Sequence, residues 1–483
     1  MTPSRRTLLS SGLAFTAGLA SRAEGTLNPE PARSCPGPTA GGKLNCDPNV
    51  RDAAARDFGH ILHKQPRAVL KPASAADIAD LIRWAAERGL KVAARGRGHS
   101  TYGRSMAEDG VVIDMSAISA VHSVGPDRVA VDAGATWKSV LLEAALARGL
   151  TPLVLTNYLG LSIGGTLAVG GIGGTSSRHG MQTDQVLSLD VVTGSGQELT
   201  CSAAMNADLF DAVRAGLGQC GIVTRATLRL VRAPQRVRRY QLFYPNLAPL
   251  SADQRRVLAD GRFDSLQGAI LPDGAGGWRY QLDGAIFYWG DAIPDDAKAL
   301  AGLSDERGAR TIRDATYGDD MLAFAKFAQL LKSSGHWFNP QPWLLTFLRG
   351  SDADKIAGEI LAELTDADLG PFGRITYYPM FRSAIRTPLV RMPDEEVVFP
   401  FNLIRIPASN DSAQTERMIV QNRALYERIR DAGGVLYPVS AIPTSPDDWK
   451  GHFGSKWQRF EEAARRYDPR NILTPGYDIF GQA

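Results

Sequence analysis

The residue types best placed to do chemistry lie in one turn, Ala94-Arg95-Gly96-Arg97-Gly98-His99-Ser100-Thr101-Tyr102-Gly103, which holds three glycines, two arginines and a histidine. Glycine has no Cβ, so backbone N–H groups in such a turn can approach an anionic ligand closely. His99 sits inside that approach and not on an apolar face, so its imidazole is placed to touch or bond whatever the loop holds. A second glycine-rich stretch runs over residues 159–180. It contains Gly164-Gly165-Thr166, then Gly170-Gly171-Ile172-Gly173-Gly174, then Arg178-His179-Gly180. Glycine costs a helix roughly 1 kcal/mol per residue relative to alanine, so this stretch is not expected to be helical. Ile163, Leu167, Val169 and Ile172 are interleaved with its glycines, and a solvated linker has no use for them. The pattern predicts a backbone that passes close to a large flat ligand.

Short strands and helices must position these loops. The spacing predicts a helix over 53–63, a strand over 68–70, and a helix capped by Ser74 that runs to Arg88 with an apolar stripe of Ile78, Leu81, Ile82 and Ala85. The strand over 92–94 then delivers the chain into the first glycine loop. Strands follow over 111–115 and 128–132, a helix over 137–148, strands over 186–193 and 198–201, a helix over 208–213 and a long strand over 221–231. Composition shifts at Ala233-Pro234. Beyond it, strands over 239–244, 343–348 and 396–406 alternate with helices over 251–260, 353–364 and 413–432, and a last helix lies over 457–466. The pattern is α+β, with the boundary near residue 233 separating two domains.

The chain has 483 residues, 44% hydrophobic and 22% charged, with a formal charge of only +3, which excludes a general electrostatic nucleic-acid binder. Past the N-terminus no apolar run is long enough to cross a membrane. Ser4-Arg5-Arg6-Thr7-Leu8-Leu9 followed by an apolar run to Ala20 reads as a twin-arginine export signal, residues 1–23. Its removal takes three arginines and no acid, so 54 basic residues become 51 against 51 acidic ones. A route that exports folded proteins suits one that must load its cofactor first, and places this protein in the periplasm or outside the cell. Cys35 and Cys46 lie in a Pro/Gly-rich leader, residues 24–50, and are either a disulfide or two free thiols. Cys201 and Cys220 fall in apolar patterns as buried small residues, and no Cys/His cluster has zinc spacing.

The ordered motifs resemble one family, the cytokinin dehydrogenases, within the flavoproteins similar to vanillyl-alcohol oxidase (PCMH-type FAD-binding). Gly96-Arg97-Gly98-His99-Ser100 resembles the family's flavin-attachment loop. Gly164-Gly165-Thr166-Leu167 and Gly218-Gln219-Cys220-Gly221-Ile222-Val223-Thr224 resemble its flavin-domain motifs, and Pro393-Asp394-Glu395-Glu396-Val397 a segment of its substrate domain. His452-Phe453-Gly454-Ser455-Lys456-Trp457, Tyr467-Asp468-Pro469 and Ile472-Leu473-Thr474-Pro475-Gly476 resemble its C-terminal signature. The likeness spans about 66–480. It implies a two-part FAD-binding domain, residues 51–233 and 437–483, with an α+β substrate domain, residues 234–436, inserted between the parts and covering the flavin. It implies FAD bonded through His99 to the flavin 8-methyl carbon. It implies further FAD contacts at Ala94, Gly96, Arg97, Gly98, Ser100, Ser162, Ile172, Ile222, Tyr437 and Thr474. Two glutamines that contact flavin in the family are matched here by Arg104 and Tyr477, and Arg104 is expected to pair with FAD phosphates.

The departures concern substrate. The family's active-site aspartate, which takes a hydrogen bond from the substrate amine, is matched by Asn157, before Tyr158-Leu159. A second acidic position, which contacts adenine, is matched by Gln267. An amide orients a donor but is no general base at neutral pH. The resemblance therefore implies an FAD-linked oxidoreductase acting on a small molecule, with oxygen or a quinone as electron acceptor. One reading is oxidation of a C–H next to an amine nitrogen, then imine hydrolysis to an aldehyde, as the family does with isopentenyladenine. The other is a flavin oxidase of an alcohol, sugar or other small metabolite.

Overall fold

The computed structural model describes Cys35, residues 37–38 and residues 42–481; the expected export signal and most of the leader lie outside the described residues. Helices and strands are interleaved, and the strands form three sheets.

The first sheet is small and largely parallel. It comprises β1 (Lys43–Asn45), β2 (Ala68–Lys71), β3 (Val92–Arg95) and β4 (Val111–Asp114), in the order β1-β2-β4-β3. The crossover between β2 and β3 is the helix Ala75–Glu87. Ser74 caps it: its Oγ accepts from the Asp77 N–H and the Asp77 carboxylate accepts from the Ser74 N–H at 3.0 Å, a capping box of about 1 kcal/mol. Ile78, Leu81, Ile82 and Ala85 are fully buried against Val92, Val111 and Ile113. The crossover therefore fixes the end of β3, where the first glycine loop begins. On the outer edge of β3, the Val92 N–H donates to the Ile472 carbonyl and the Thr474 N–H to the Val92 carbonyl, each at 2.8 Å. The C-terminal signature thus returns to the strand that carries the loop.

The second sheet comprises β5 (Val121–Val124), β6 (Arg128–Asp132), β7 (Leu150–Pro152), β8 (Val186–Val192), β9 (Glu198–Ser202) and β10 (Ile222–Arg232). Its order is β5-β6-β10-β8-β9, with β7 also paired to β10. Residues of β10 alternate between buried and exposed, as a strand with one covered face requires. The covering layer includes Trp137, Trp449, Phe453, Phe460 and Tyr467, all buried in one cluster with Val129, Val131 and Leu189.

The third sheet comprises β11 (Arg236–Tyr244), β12 (Ser265–Pro272), β13 (Trp278–Tyr288), β14 (Thr311–Thr316), β15 (Leu344–Arg349), β16 (Arg374–Tyr377), β17 (Met380–Phe381), β18 (Val397–Ile404) and β19 (Val435–Leu436). Its path is β14-β11-β13-β12-β16-β18-β15-β19, with β17 on β18. The helices Leu247–Asp260, Ala353–Glu363 and Ser412–Asp431 cover it and share its core.

Three local expectations change. The helix expected over 53–63 is Pro48–Ala54 instead, because Asp47 caps it and Pro48 occupies its first turn. The chain from Asp57 to Gly59 then turns its N–H groups toward the glycine loop. The stretch over 159–180, expected to be non-helical, contains short helices at Ile163–Leu167 and Ser176–His179. Burial of Ile163 and Leu167, and a bond from Trp137 Nε1 to Thr166 Oγ1 at 2.8 Å, offset the glycine cost. Residues 137–148 stay helical but pass through a π-turn at Val140–Ala145. Cys35 and Cys46 are joined in a disulfide, with Cα atoms 5.8 Å apart, while Cys201 and Cys220 are free and buried. Among the described residues no helix is long and apolar enough to cross a membrane.

Candidate active site

The first glycine loop leaves β3 with its N–H groups unspent. Among the described residues, the N–H groups of Gly96, Arg97, Gly98, His99 and Ser100 donate to no protein acceptor. Its carbonyls, by contrast, are tied down from below. The Phe58 N–H donates to the Gly98 carbonyl at 2.7 Å and the Gly59 N–H to the Ser100 carbonyl at 3.0 Å. Buried Asp57 completes the brace: its carboxylate accepts from Ser100 Oγ at 2.8 Å, the Gly103 N–H at 2.6 Å and the Gly59 N–H at 3.1 Å. Burial raises the Asp57 pKa, opposed by these donors and by the charge of Arg95. Arg95 lies beneath Gly98 with one buried guanidinium nitrogen, Nη1, unpartnered. A run of free N–H groups above a guanidinium is an anion cradle.

The brace makes a stability prediction. Asp57→Ala leaves the buried Gly103 N–H without its acceptor, at about 1–3 kcal/mol for an unsatisfied group, while the Gly59 N–H keeps the Ser100 carbonyl and the Ser100 hydroxyl keeps Ser105 Oγ. Thermal or urea unfolding of the holoenzyme should show a loss of about 1–3 kcal/mol. An unchanged midpoint would mean that the loop holds its shape without Asp57.

His99 retains some exposed surface but is boxed in by rings. Phe58 stacks on it with centroids 3.9 Å apart; Tyr158, Trp337 and Trp343 stand at 5.2, 5.7 and 6.2 Å. Desolvation by these rings, with a smaller contribution from the Lys332 charge, drives the imidazole pKa down to about 3. His99 is therefore a neutral imidazole across the physiological range, with a lone pair available as a nucleophile or ligand.

The second glycine stretch meets the first directly. A Cβ on Gly96 would lie 1.9 Å from Ser162 Oγ, so only glycine lets the two loops touch there. Farther along, a Cβ on Gly173 would lie 1.8 Å from the Leu155 carbonyl oxygen. That contact holds the segment leading into Asn157-Tyr158. Asn157 is exposed and makes no hydrogen bond among the described residues, while the ring of Tyr158 faces His99 and Trp337. Gln267, on β12, lies against Gly174, and its side chain is hydrogen-bonded with Tyr378, whose pKa burial pushes up to about 12. Tyr437 Oη accepts from the Gly171 N–H at 3.0 Å, and Ile172 packs on the cluster that contains Tyr437. The fold thus brings His99, Asn157 and Gln267 onto one pair of glycine loops.

The remaining expected residues line the neighbouring walls. Ala94 and Ile222 pack in one cluster with Ile472 and Leu473. Thr474 Oγ1 donates to the Gly218 carbonyl at 3.0 Å. The buried Arg104 guanidinium donates to the carbonyls of Gly476 and Ile442 at 3.2 and 3.1 Å and lies 4.9 Å from the Tyr477 ring. Its carbonyl partners tie the first loop to the C-terminal segment, and only Nε is left without a partner. The Tyr477 hydroxyl donates to the Pro438 carbonyl at 3.3 Å.

Sequence reasoning missed Asp57, Phe58, Trp337 and Trp343. For the tryptophans a signal existed: Trp337-Phe338-Asn339-Pro340-Gln341-Pro342-Trp343 concentrates aromatics in a proline-broken stretch with no periodicity to bury them. The Gln341 N–H donates to the Gly59 carbonyl at 2.8 Å, which docks this stretch against the brace.

Comparison with known proteins agrees with this geometry. The profile described as "FAD binding domain" matches residues 66–202, and that described as "Cytokinin dehydrogenase 1, FAD and cytokinin binding" matches residues 273–480. An uncharacterised oxidoreductase of Rhodococcoides fascians, ORF5 in the fasciation locus, is 43% identical over 88% of this chain and 96% of its own. Cytokinin dehydrogenase 1 of Oryza sativa subsp. japonica is 37% identical over 91% of this chain and 92% of its own. Among solved structures, chitooligosaccharide oxidase aligns with a TM-score of 0.72 at 16% identity, over 91% of this chain and 97% of its own. 6-Hydroxy-D-nicotine oxidase of Arthrobacter nicotinovorans aligns with a TM-score of 0.71 at 19% identity, over 91% and 98%. The free N–H run, the unpartnered Arg95 nitrogen and the two touching glycine loops fit the pyrophosphate and flat ring of FAD.

Proposed function

Because the chain belongs to the cytokinin dehydrogenase family of FAD-dependent oxidoreductases, we propose that it oxidises a C–H bond next to an amine nitrogen of a small planar substrate. The substrate carbon gives up a hydride (two electrons and a proton), the amine nitrogen gives up its N–H proton, and water hydrolyses the resulting imine to an aldehyde and an amine. FAD, when bound, supplies the hydride acceptor. The observation that carries this reading is the neutral, ring-enclosed His99 set in a loop of unpaired N–H groups. Gly96 to Ser100 and Ser162 would hold the phosphates. Ala94, Ile172, Ile222, Tyr437, Thr474 and Tyr477 would line the rest of the cofactor, with Arg104 clamping the C-terminal segment over it.

The same reading includes a tether. A bond between an imidazole nitrogen of His99 and the flavin 8-methyl carbon releases two protons and leaves two electrons on the flavin, which the enzyme's electron acceptor, oxygen or a quinone, removes. A tether is useful to an exported protein, since no FAD pool exists outside the cell. The twin-arginine pattern over residues 4–9 supports export after cofactor loading to the periplasm or beyond. The three sheets support residues 51–233 with 437–483 as the cofactor domain and residues 234–436 as the substrate domain.

Asn157 and Gln267 orient the substrate by hydrogen bonds and take no proton at neutral pH. Water accepts the N–H proton that leaves as the imine forms. Anaerobic mixing of the holoenzyme with isopentenyladenine is expected to bleach the flavin absorbance, and Asn157→Asp to speed that bleaching by about 100-fold, the low end of general-base effects. No bleaching at saturating substrate by either protein would exclude amine oxidation. Bleaching by alcohols or sugars instead would favour the alternative that Asn157 and Gln267 leave open.

A further inference from the structure

Aromatic rings surround His99, and the charged side chains beside them, Lys332 and Arg97, are both cations. Lys332 Nζ lies 4.8 Å from the centroid of Trp337, which itself stands 5.4 Å from Tyr158. Arg97, two residues before His99, is exposed, and its charge reaches the Tyr158 hydroxyl. His60 meets Phe338 edge-on at 6.5 Å, and Phe338 is 59% exposed. Neither Lys332 nor Arg97 has a carboxylate partner among the described residues. Asp57 is buried under the loop and fully engaged, and Asp283, opposite Gln267 across β12 and β13, is buried among the charges of Arg239 and Arg374. At the two positions matched to acidic residues of the family stand the neutral amides Asn157 and Gln267. A site of this charge disfavours a cationic substrate and attracts an anionic one.

We propose that the natural substrate is a planar ring compound bearing an anionic group, received beside these rings by Lys332 and Arg97. This rests on the oxidation proposed above at the His99 site. The ring stacks among Tyr158, Trp337 and the neighbouring aromatics, and the anion stays in reach of solvent, so its desolvation cost is small.

The test compares isopentenyladenosine with its 5′-monophosphate on the holoenzyme at low ionic strength, since these differ only in the anion. The monophosphate is expected to show a kcat/KM higher by at least about fivefold, the effect of one exposed cation. The advantage should vanish in Lys332→Gln, survive in Lys332→Arg and fade at high salt. Equal kcat/KM for the two compounds overturns the inference and leaves the proposed oxidation standing. If neither compound reduces the flavin, the proposed oxidation falls, and tryptophan quenching by adenosine and adenosine 5′-monophosphate decides the inference. Tighter binding of the monophosphate that depends on Lys332 upholds it; equal binding overturns it.

Discussion

His99→Ala is expected to release all of its flavin on acid precipitation, leaving a colourless pellet, where the parent protein keeps its colour. The variant should still take up FAD, because the free N–H groups of Gly96 to Ser100, the Gly96–Ser162 contact and the C-terminal strand partner are untouched. Its activity should therefore fall on desalting and return on addition of FAD. The physical reason lies in the two jobs that the loop divides. In the proposed reading, backbone amides bind the phosphates whatever side chain stands at position 99, whereas the neutral imidazole, desolvated by Phe58, Tyr158 and Trp337, is the nucleophile. A variant that retained acid-stable flavin would place the bond elsewhere. A variant that bound no flavin at all would mean that the imidazole, not the amide cradle, carries cofactor binding.

Gly173→Ala should cost more than any exposed substitution near the site. Its methyl would meet a backbone carbonyl, that of Leu155, at 1.8 Å, and backbone cannot rotate aside as a side chain can. Overpacking of this kind costs about 1–3 kcal/mol. Its functional cost should exceed its stability cost, because the displaced segment is the one that leads into Asn157 and Tyr158. A shift of about 1 Å in a reacting geometry can lower turnover by about 100-fold. Stopped-flow flavin reduction separates the two effects: the reduction rate should fall while the flavin content stays high. Loss of flavin in step with loss of rate would make Gly173 a cofactor-binding position instead.

Much of this arrangement was legible in the residues. Ser74 and Asp77 mark a helix start by mutual capping, and the stripe of Ile78, Leu81 and Ile82 marks its buried face, so β3 and the loop after it could be placed. The free amides of Gly96 to Ser100 follow from glycine at two of five positions. Asp57 to Gly59 were not legible, because an aspartate and a phenylalanine after a run of alanines fit a helical pattern. Only the tertiary bonds to Gly98, Ser100 and Gly103 reveal that the chain has left the helix. The Ile163–Leu167 helix escaped for the opposite reason: local propensity forbids it, and packing of Trp137 on Thr166 overrides propensity. The aromatic box is assembled from residues more than 200 positions apart, Phe58 with Trp337 and Trp343, and no local pattern encodes that meeting. Strands β12 to β14 were also missed, since their sequences mix glycine, charge and short apolar runs without a clean alternation.

The account turns on the claim that His99 is the point where flavin and protein join, and mass analysis of proteolytic peptides from the purified holoenzyme tests it most directly. The peptide containing His99 is predicted to carry the added mass of the flavin, with its fragments placing that mass on the histidine. An unmodified His99 peptide, with the flavin recovered free or on another residue, would contradict it.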